Sequence, residues 1–286
     1  MAEENSTRTV LVTGATGKQG GAVARGLIGK GFKVRVLARK AASPAAQALA
    51  ALGAEVVEGD LDHAASVEKA LAGVWGVFSV QGLESGIERE EPQGRLLAKL
   101  AREKGAQHFV YSSVGSAHRK TGVPHFESKW RIEEYVRELT FPSHTVLRPV
   151  FFMENLVSPW YLHGDRFSFC TKPDTAVQMI AVDDIGSYGV RAFEKPEEMN
   201  GQAIDIAGDA VTMAAAAELI GQRLGKKLEI VQVPMEQVRK HTADMASMFE
   251  WFEKVGYDVE IPGLEQKYGI KTMTLAEWAN KHVHPA

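Results

Sequence analysis

The stretch HFESK carries two side chains of types that move protons and hold anions, His125 and Lys129. An imidazole titrates near neutral pH, and a lysine ammonium offers three donors with a positive charge. Four residues apart at the start of a helix, the two share a face after one turn. The spacing suits an acid–base pair, a ligand contact or the polar opening of a surface helix, and only the surrounding elements decide among these. Nearer the N terminus, VLVTGATGKQGG places Gly14, Gly17 and Gly20 at intervals of three. Glycines in that pattern, between a strand and a helix, let a backbone turn tightly and approach an anion closely.

The elements that must position these residues alternate along the first half of the chain. Arg8–Gly14, Phe32–Ala38, AEVVEGD ending at Asp60, VWGVFSV, His108–Ser113 and His144–Pro149 read as strands. Between them lie helical segments: GKQGGAVARGLIGKG closing at Gly31, SPAAQALAALG with Ser43 at the N-cap and Pro44 at the first position, HAASVEKALAG, Glu88–Lys104 and HFESKWRIEEYVREL. Such alternation predicts a parallel sheet covered by helices on both faces. The near-continuous Val, Leu and Phe runs suit strands buried on both sides. After Pro149 the rhythm breaks. VQMIAVDDIGSYGVRAFE reads as a strand, a turn at Asp183 and Asp184 and a helix that the aspartates cap, and further strands flank the helix TMAAAAELIGQRLG. The expected organisation is a domain over 1–150 with a returning segment near 177–208, and a smaller, discontinuous lobe over 151–286.

In the glycine stretch, Gly14 permits the tight turn, Gly17 lets the backbone approach a pyrophosphate, and Gly20 lets the helix pack close to the sheet. The plain alternative is a glycine-rich turn with no ligand. The second strand selects the dinucleotide. NAD-binding chains place a carboxylate at its end to hold the ribose 2′-hydroxyl, whereas this strand ends in VLARK, with Arg39 and then Lys40. Cations there suit a 2′-phosphate, so the expected cofactor is NADP(H); the alternative is a solvated pair of charges. Asp60 falls at the carboxyl edge near the adenine, and SVQG, Ser79–Gly82, lines the path towards the nicotinamide ribose.

Composition narrows the function classes. A net charge of -3 and no dense Lys/Arg run disfavour direct nucleic-acid binding. The single cysteine, Cys170, allows no intramolecular disulfide and no cysteine-built metal site, and reads as an apolar filler. His63, His118, His163 and His241 share no ligand spacing, so no metal is expected. MAEENSTRT lacks the apolar run of a secretory signal, and no stretch approaches the ~18 apolar residues of a membrane span. A cytoplasmic protein, monomer or homodimer, is the expectation.

TGATGKQGG, VRVLAR, Asp60-Leu61-Asp62, VYSSVGSA, HFESKW and FFMENL, in order over roughly the first 185 residues, resemble the NmrA-like family of atypical (extended) short-chain dehydrogenases/reductases. The resemblance implies an NADP(H)-binding Rossmann domain. The fold class is thus α/β, a Rossmann-type doubly wound parallel sheet with an interleaved C-terminal α+β lobe. It further implies that Gly14, Ala15, Thr16, Gly17, Lys18, Gln19, Gly20, Arg39, Lys40, Asp60, Leu61, Val80, Gln81, Gly82, Lys129, Phe152, Met153, Glu154 and Asn155 face the cofactor. Pro92 stands where some family members carry a further cofactor-contacting lysine, a contact proline cannot replace.

The chemical departure is larger. Typical members of the wider group use a serine after the fifth strand and a Tyr-x-x-x-Lys pair, the tyrosine donating the proton. Here Ser112, Ser113 and Lys129 are present, but His125 occupies the tyrosine's place. Tyr111 and Tyr135 stand at the wrong offsets, Tyr111 facing the packed layer and Tyr135 another side of its helix. Candidate catalytic residues are therefore Lys129, His125 and Ser113. Three readings of His125 compete: a substitute general acid, a polar lid residue without chemistry, and a helix-start residue packed on a loop. Two functions follow from the resemblance. One is an NADP(H)-binding redox or cofactor sensor acting through a protein partner. The other is an NADPH-dependent reductase of a small carbonyl or quinone, since hydride chemistry comes from the cofactor itself.

Overall fold

Alternating β-branched runs and Ala/Leu-rich segments build the first half of the chain in the computed structural model, which describes residues 2–82 and 86–285. A short helix α1 (Ala2–Asn5) precedes β1 (Thr9–Val12), α2 (Lys18–Gly29), β2 (Lys33–Ala38), α3 (Pro44–Ala51), β3 (Glu55–Glu58), α4 (Ala64–Leu71) and β4 (Gly76–Ser79). There follow α5 (Ile87–Glu103), β5 (His108–Ser112), α6 (Pro124–Glu138), β6 (Ser143–Pro149), β7 (Phe151–Phe152), β8 (Leu162–His163), β9 (Arg166–Phe169) and β10 (Ala176–Ile180). The chain continues through α7 (Val182–Glu194), α8 (Pro196–Met199), β11 (Ala203–Ile206), β12 (Asp209–Thr212), α9 (Met213–Leu224) and β13 (Glu229–Gln232). It ends in α10 (Met235–His241), α11 (Ala243–Lys254), α12 (Ile261–Tyr268) and α13 (Leu275–His282). Ser43 accepts the Ala46 N–H at the start of α3, with Pro44 at its first position.

Seven strands form the main sheet in the order β11-β6-β5-β4-β1-β2-β3. β3, β2, β1, β4, β5 and β6 pair in parallel. β11 runs the same way, because Val146 and Val150 donate to the Gln202 and Ile206 carbonyls at equal steps. The strand order reverses between β1 and β4, which is where ligands of doubly wound sheets bind, outside the carboxyl ends.

The chain divides into two compact units, Met1–Val114 with Ser128–Arg148 and Ile185–Ile204, and Gly115–Glu127 with Pro149–Asp184 and Asp205–Ala286. The limits differ from a cut at 150 in two places. Gly115–Glu127 goes with the second unit, and the returning segment is Ile185–Ile204, because β10 pairs with β7 and β12 in a separate three-stranded sheet. In the first unit one sheet face is packed by Leu11, Val57, Leu97, Phe109, Tyr111, Ile132 and Val136. Each large apolar side chain so buried contributes about 1.5–3 kcal/mol. On the other side α2 meets α7 through glycines: a Cβ on Gly26 would lie 2.6 Å from Val190 Cγ2, and one on Gly189 2.6 Å from Val23 Cγ2.

The second unit holds the sheets β12-β10-β7 and β13-β9-β8. It also holds an aromatic cluster in which Phe126, Trp251, Phe252 and Tyr257 make edge, tilted and stacked contacts. Phe151 packs edge-on to Tyr161, whereas Trp160 is 86% exposed. Asp183 and Asp184 form no separate turn and lie in the first turn of α7. Asp184 accepts the Met273 N–H and Asp183 pairs with Lys281, so both bind the C-terminal segment. Cys170 is buried and its thiol is pushed up to about 12 by burial, which makes it unreactive. Among the described residues no helix is long and apolar enough to cross a membrane, and no group of three metal-ligating side chains occurs.

Candidate functional site

The first unit shapes a glycine-lined turn between β1 and α2. Gly14 adopts φ +59, open to glycine at little cost, and Gly17 donates its N–H to the Gly14 carbonyl at 2.9 Å. A Cβ on Gly20 would sit 2.5 Å from Thr13 O and from Gly14 C and O, so only glycine lets α2 start this close to the turn. No side chain caps α2 at Gly17. Gly14, Thr16, Gly17 and Lys18 are exposed around the opening, while Ala15 and Gly20 are buried beneath it and Gln19 is half-buried. Thr13 ties the turn to β4, exchanging hydrogen bonds of 3.0 Å with the Val80 N–H and carbonyl.

The remaining first-unit candidates stand beyond the strand ends. Arg39 and Lys40 follow β2 directly and are exposed. β3 stops at Glu58 rather than at Asp60; the chain turns there because Ser66 Oγ bonds both the Asp60 N–H and carbonyl, and Asp60 Oδ1 accepts the Asp62 N–H. Leu61 packs against the sheet core. Beyond β4, Val80 and Gln81 are buried and Gly82 is exposed. Gln81 donates to Ser79 Oγ at 3.0 Å while its Oε1 has no partner among the described residues. At the end of β5, Ser112 donates to Gln19 Oε1 at 2.6 Å, linking the strand end to the glycine turn. Ser113 Oγ is buried and unpartnered among the described residues.

Lys129 is not a solvated helix lysine. It is buried, and its Nζ lies 2.9 Å from Glu90 Oε1, a carboxylate with no exposure. Ser128 Oγ donates to the other oxygen of Glu90. Lys129 Nζ also stands 5.9 Å from the ring centroid of Tyr111. The Tyr111 hydroxyl is wholly buried, and burial, with the charge of Glu90, pushes its pKa well above the usual phenol value. Glu90 was not singled out from the sequence: inside EREEP it is one of three glutamates, and only its place on the inner face of α5 sets it apart.

His125 belongs to the second unit, with its own carboxylate. Its ring Nδ1 lies 2.7 Å from Asp244 Oδ2, and its backbone N–H donates to Asp244 Oδ1 at 3.0 Å. Asp244, at the start of α11, thus seats the first turn of α6 and fixes the imidazole with Nδ1 towards the carboxylate. Helix-start packing is therefore accompanied by a buried His–Asp pair, a geometry that can carry a proton on the other ring nitrogen. Burial alone would raise Asp244; the hydrogen bond and charge of His125 outweigh it and hold the carboxyl below its usual value. A carboxyl depressed on folding adds stability above its unfolded value, about 3.9, and loses it as pH falls through the lower folded value. Asp244→Asn should therefore unfold more easily than the parent at neutral pH, with the gap narrowing below about pH 4 in denaturant melts.

Phe152, Met153, Glu154 and Asn155 are also in the second unit, where Met153–Asn155 forms one 3-10 turn after β7. Glu154 Oε1 accepts the Val182 N–H at 3.0 Å and Trp278 Nε1–H at 2.9 Å, joining the turn to α7 and α13.

Within the first unit the residues fit a dinucleotide. The glycine cradle excludes any Cβ at Gly20, the helix start is uncapped, and Gln81 Oε1 and Ser113 Oγ are buried atoms without partners among the described residues, beside the ends of adjacent strands. Fold and cradle together define a Rossmann-type α/β protein. The model of the NmrA-like family matches residues 6–282, and the chain belongs to that family. A relative named as an NmrA-like family domain-containing oxidoreductase, from Aspergillus hancockii, is 32% identical over 72% of this chain and 70% of its own length. Among solved structures, an NADPH-dependent quinone oxidoreductase of Escherichia coli in complex with NADPH superposes with a TM-score of 0.80 at 24% identity, over 95% of this chain and 99% of its own. NmrA, a negative transcriptional regulator solved with NADP, gives 0.79 at 20% identity, over 97% and 96%.

Proposed function

We propose that this chain binds NADP(H) and acts as a cofactor-sensing regulatory protein through a protein partner. The observation that carries the cofactor reading is the glycine cradle, closed to any side chain at Gly20 and followed, one strand on, by Arg39 and Lys40 in place of a carboxylate. Backbone N–H groups at the start of α2 would hold the pyrophosphate, Arg39 and Lys40 the 2′-phosphate, and Lys129 the nicotinamide ribose. The bound cofactor would supply hydride chemistry, and the residues around it decide whether that chemistry is used. The regulatory reading is supported by Tyr111, which is sealed in the core, and by Lys129, which is paired with Glu90. The similarity to a regulator solved with NADP agrees with it. The cytosolic setting, and a monomer or homodimer, belong to this reading.

A second reading, an NADPH-dependent reductase of a small carbonyl or quinone, is favoured by the His125–Asp244 pair, which can hold and release a proton. The similarity to a quinone oxidoreductase supports it. NADPH oxidation against a panel of quinones and aldehydes separates the two. Tight binding without turnover is expected, and turnover that disappears in His125→Ala would replace the regulatory reading by the enzymatic one. Nucleotide choice is tested by titration. Arg39→Ser should weaken NADP(H) by roughly tenfold or more and leave NAD(H) unchanged. NAD(H) binding as tightly as NADP(H) to the parent would remove the 2′-phosphate assignment.

A further inference from the structure

Glu90 is a fully buried charge of the first unit that the cofactor reading leaves unused. It lies in the first turn of α5, has no exposure, and has its oxygens met by Ser128 Oγ and by Lys129 Nζ at 2.9 Å. Burying such a pair is a poor route to stability, because desolvation offsets most of the attraction and an apolar pair of equal volume does as well. What the pair does achieve is a fixed ammonium whose charge is cancelled. Its place follows from the sheet. Lys129 Nζ stands over the Tyr111 ring on β5, two strands beyond β1 on the far side of the order reversal. In a doubly wound sheet the adenosine occupies the β1–β2–β3 side, so the β4–β5 side receives the nicotinamide.

We infer that Glu90 is a positioning residue that neutralises Lys129 and thereby sets the balance between oxidised and reduced nicotinamide. The inference rests on the NADP(H) reading. Oxidised nicotinamide carries a positive charge and the reduced ring none, so an uncancelled ammonium beside it would select NADPH. With Glu90 in place the pair is neutral overall, and the protein accepts both redox states.

The test is the ratio of dissociation constants, NADP+ over NADPH, measured by titration at one fixed pH. The variants are the parent, Glu90→Gln and Glu90→Gln with Lys129→Met. Glu90→Gln retains an oxygen for Ser128 but removes the counter-charge, and the ratio should rise roughly tenfold, the size of a screened charge–charge repulsion across a few ångströms. The double variant carries neither charge, and its ratio should return to within about twofold of the parent. A merely structural Glu90 would weaken both nucleotides in equal proportion, and an unchanged ratio in Glu90→Gln overturns the inference. Should Glu90→Gln fail to fold, Glu90→Leu, an apolar replacement of similar volume, is read in the same way. A parent that binds neither nucleotide removes the NADP(H) reading itself, whereas a parent that binds both with an unchanged variant ratio removes only the role of Glu90.

Discussion

Gly20→Ala is expected to cost about 2–3 kcal/mol in denaturant unfolding and to weaken NADP(H) by roughly tenfold or more in titration. The added methyl would lie 2.5 Å from Thr13 O and from two atoms of Gly14. All three are backbone, so no rotamer change relieves the contact. Thr13 is held in place, since its side-chain hydroxyl exchanges hydrogen bonds with Val80 just beyond β4. The start of α2 must therefore withdraw from the turn, and the uncapped N–H groups move away from where a pyrophosphate would rest. Gly29→Ala is the control on the same helix, because its Cβ would meet nothing within 4 Å. That change should leave binding untouched and unfolding unchanged or slightly improved. Equal affinity in Gly20→Ala and parent would show that the cradle is not the binding element.

The elements with local signals were legible in the sequence. The glycine spacing, the Ser43-Pro44 start of α3 and the β-branched runs are set by backbone preferences within a few residues, and the main sheet follows from their alternation. Lys129 and His125 were legible as positions but not as environments. Their partners Glu90 and Asp244 lie 39 and 119 residues away, and nothing local marks one glutamate of EREEP or one aspartate of TADMA as buried. The unit limits were hidden for the same reason. Gly115–Glu127 and β10 join the second unit through tertiary pairing that their own residues do not announce. Asp183 and Asp184 looked like helix caps because aspartate near a helix start usually is one; here Thr272–His282 supplies competing donors, the Met273 N–H and Lys281.

Glu133→Ala is expected to cost about 3–5 kcal/mol, the price of leaving a buried guanidinium without its carboxylate. Glu133 has no exposure. It receives Arg148 Nε at 2.9 Å and Nη2 at 2.7 Å as a two-pronged pair, with Arg137 at 2.7 Å from one turn along α6. The pair joins α6 to β6, and Lys129 stands one turn before Glu133 on the same helix face. A planar two-pronged contact fixes rotation as well as distance, so Glu133 and Arg148 hold the turn that presents Lys129. Glu133→Leu combined with Arg148→Met removes both charges and should recover stability to within about 1 kcal/mol of the parent. The recovered fold should nonetheless bind NADP(H) several-fold more weakly, because apolar packing constrains the rotation of α6 less tightly. Unfolding midpoints and nucleotide titrations on the same preparations separate the two effects. If the double variant recovers affinity along with stability, the ion pair serves the fold alone, and the placement of Lys129 falls to Glu90 and Ser128.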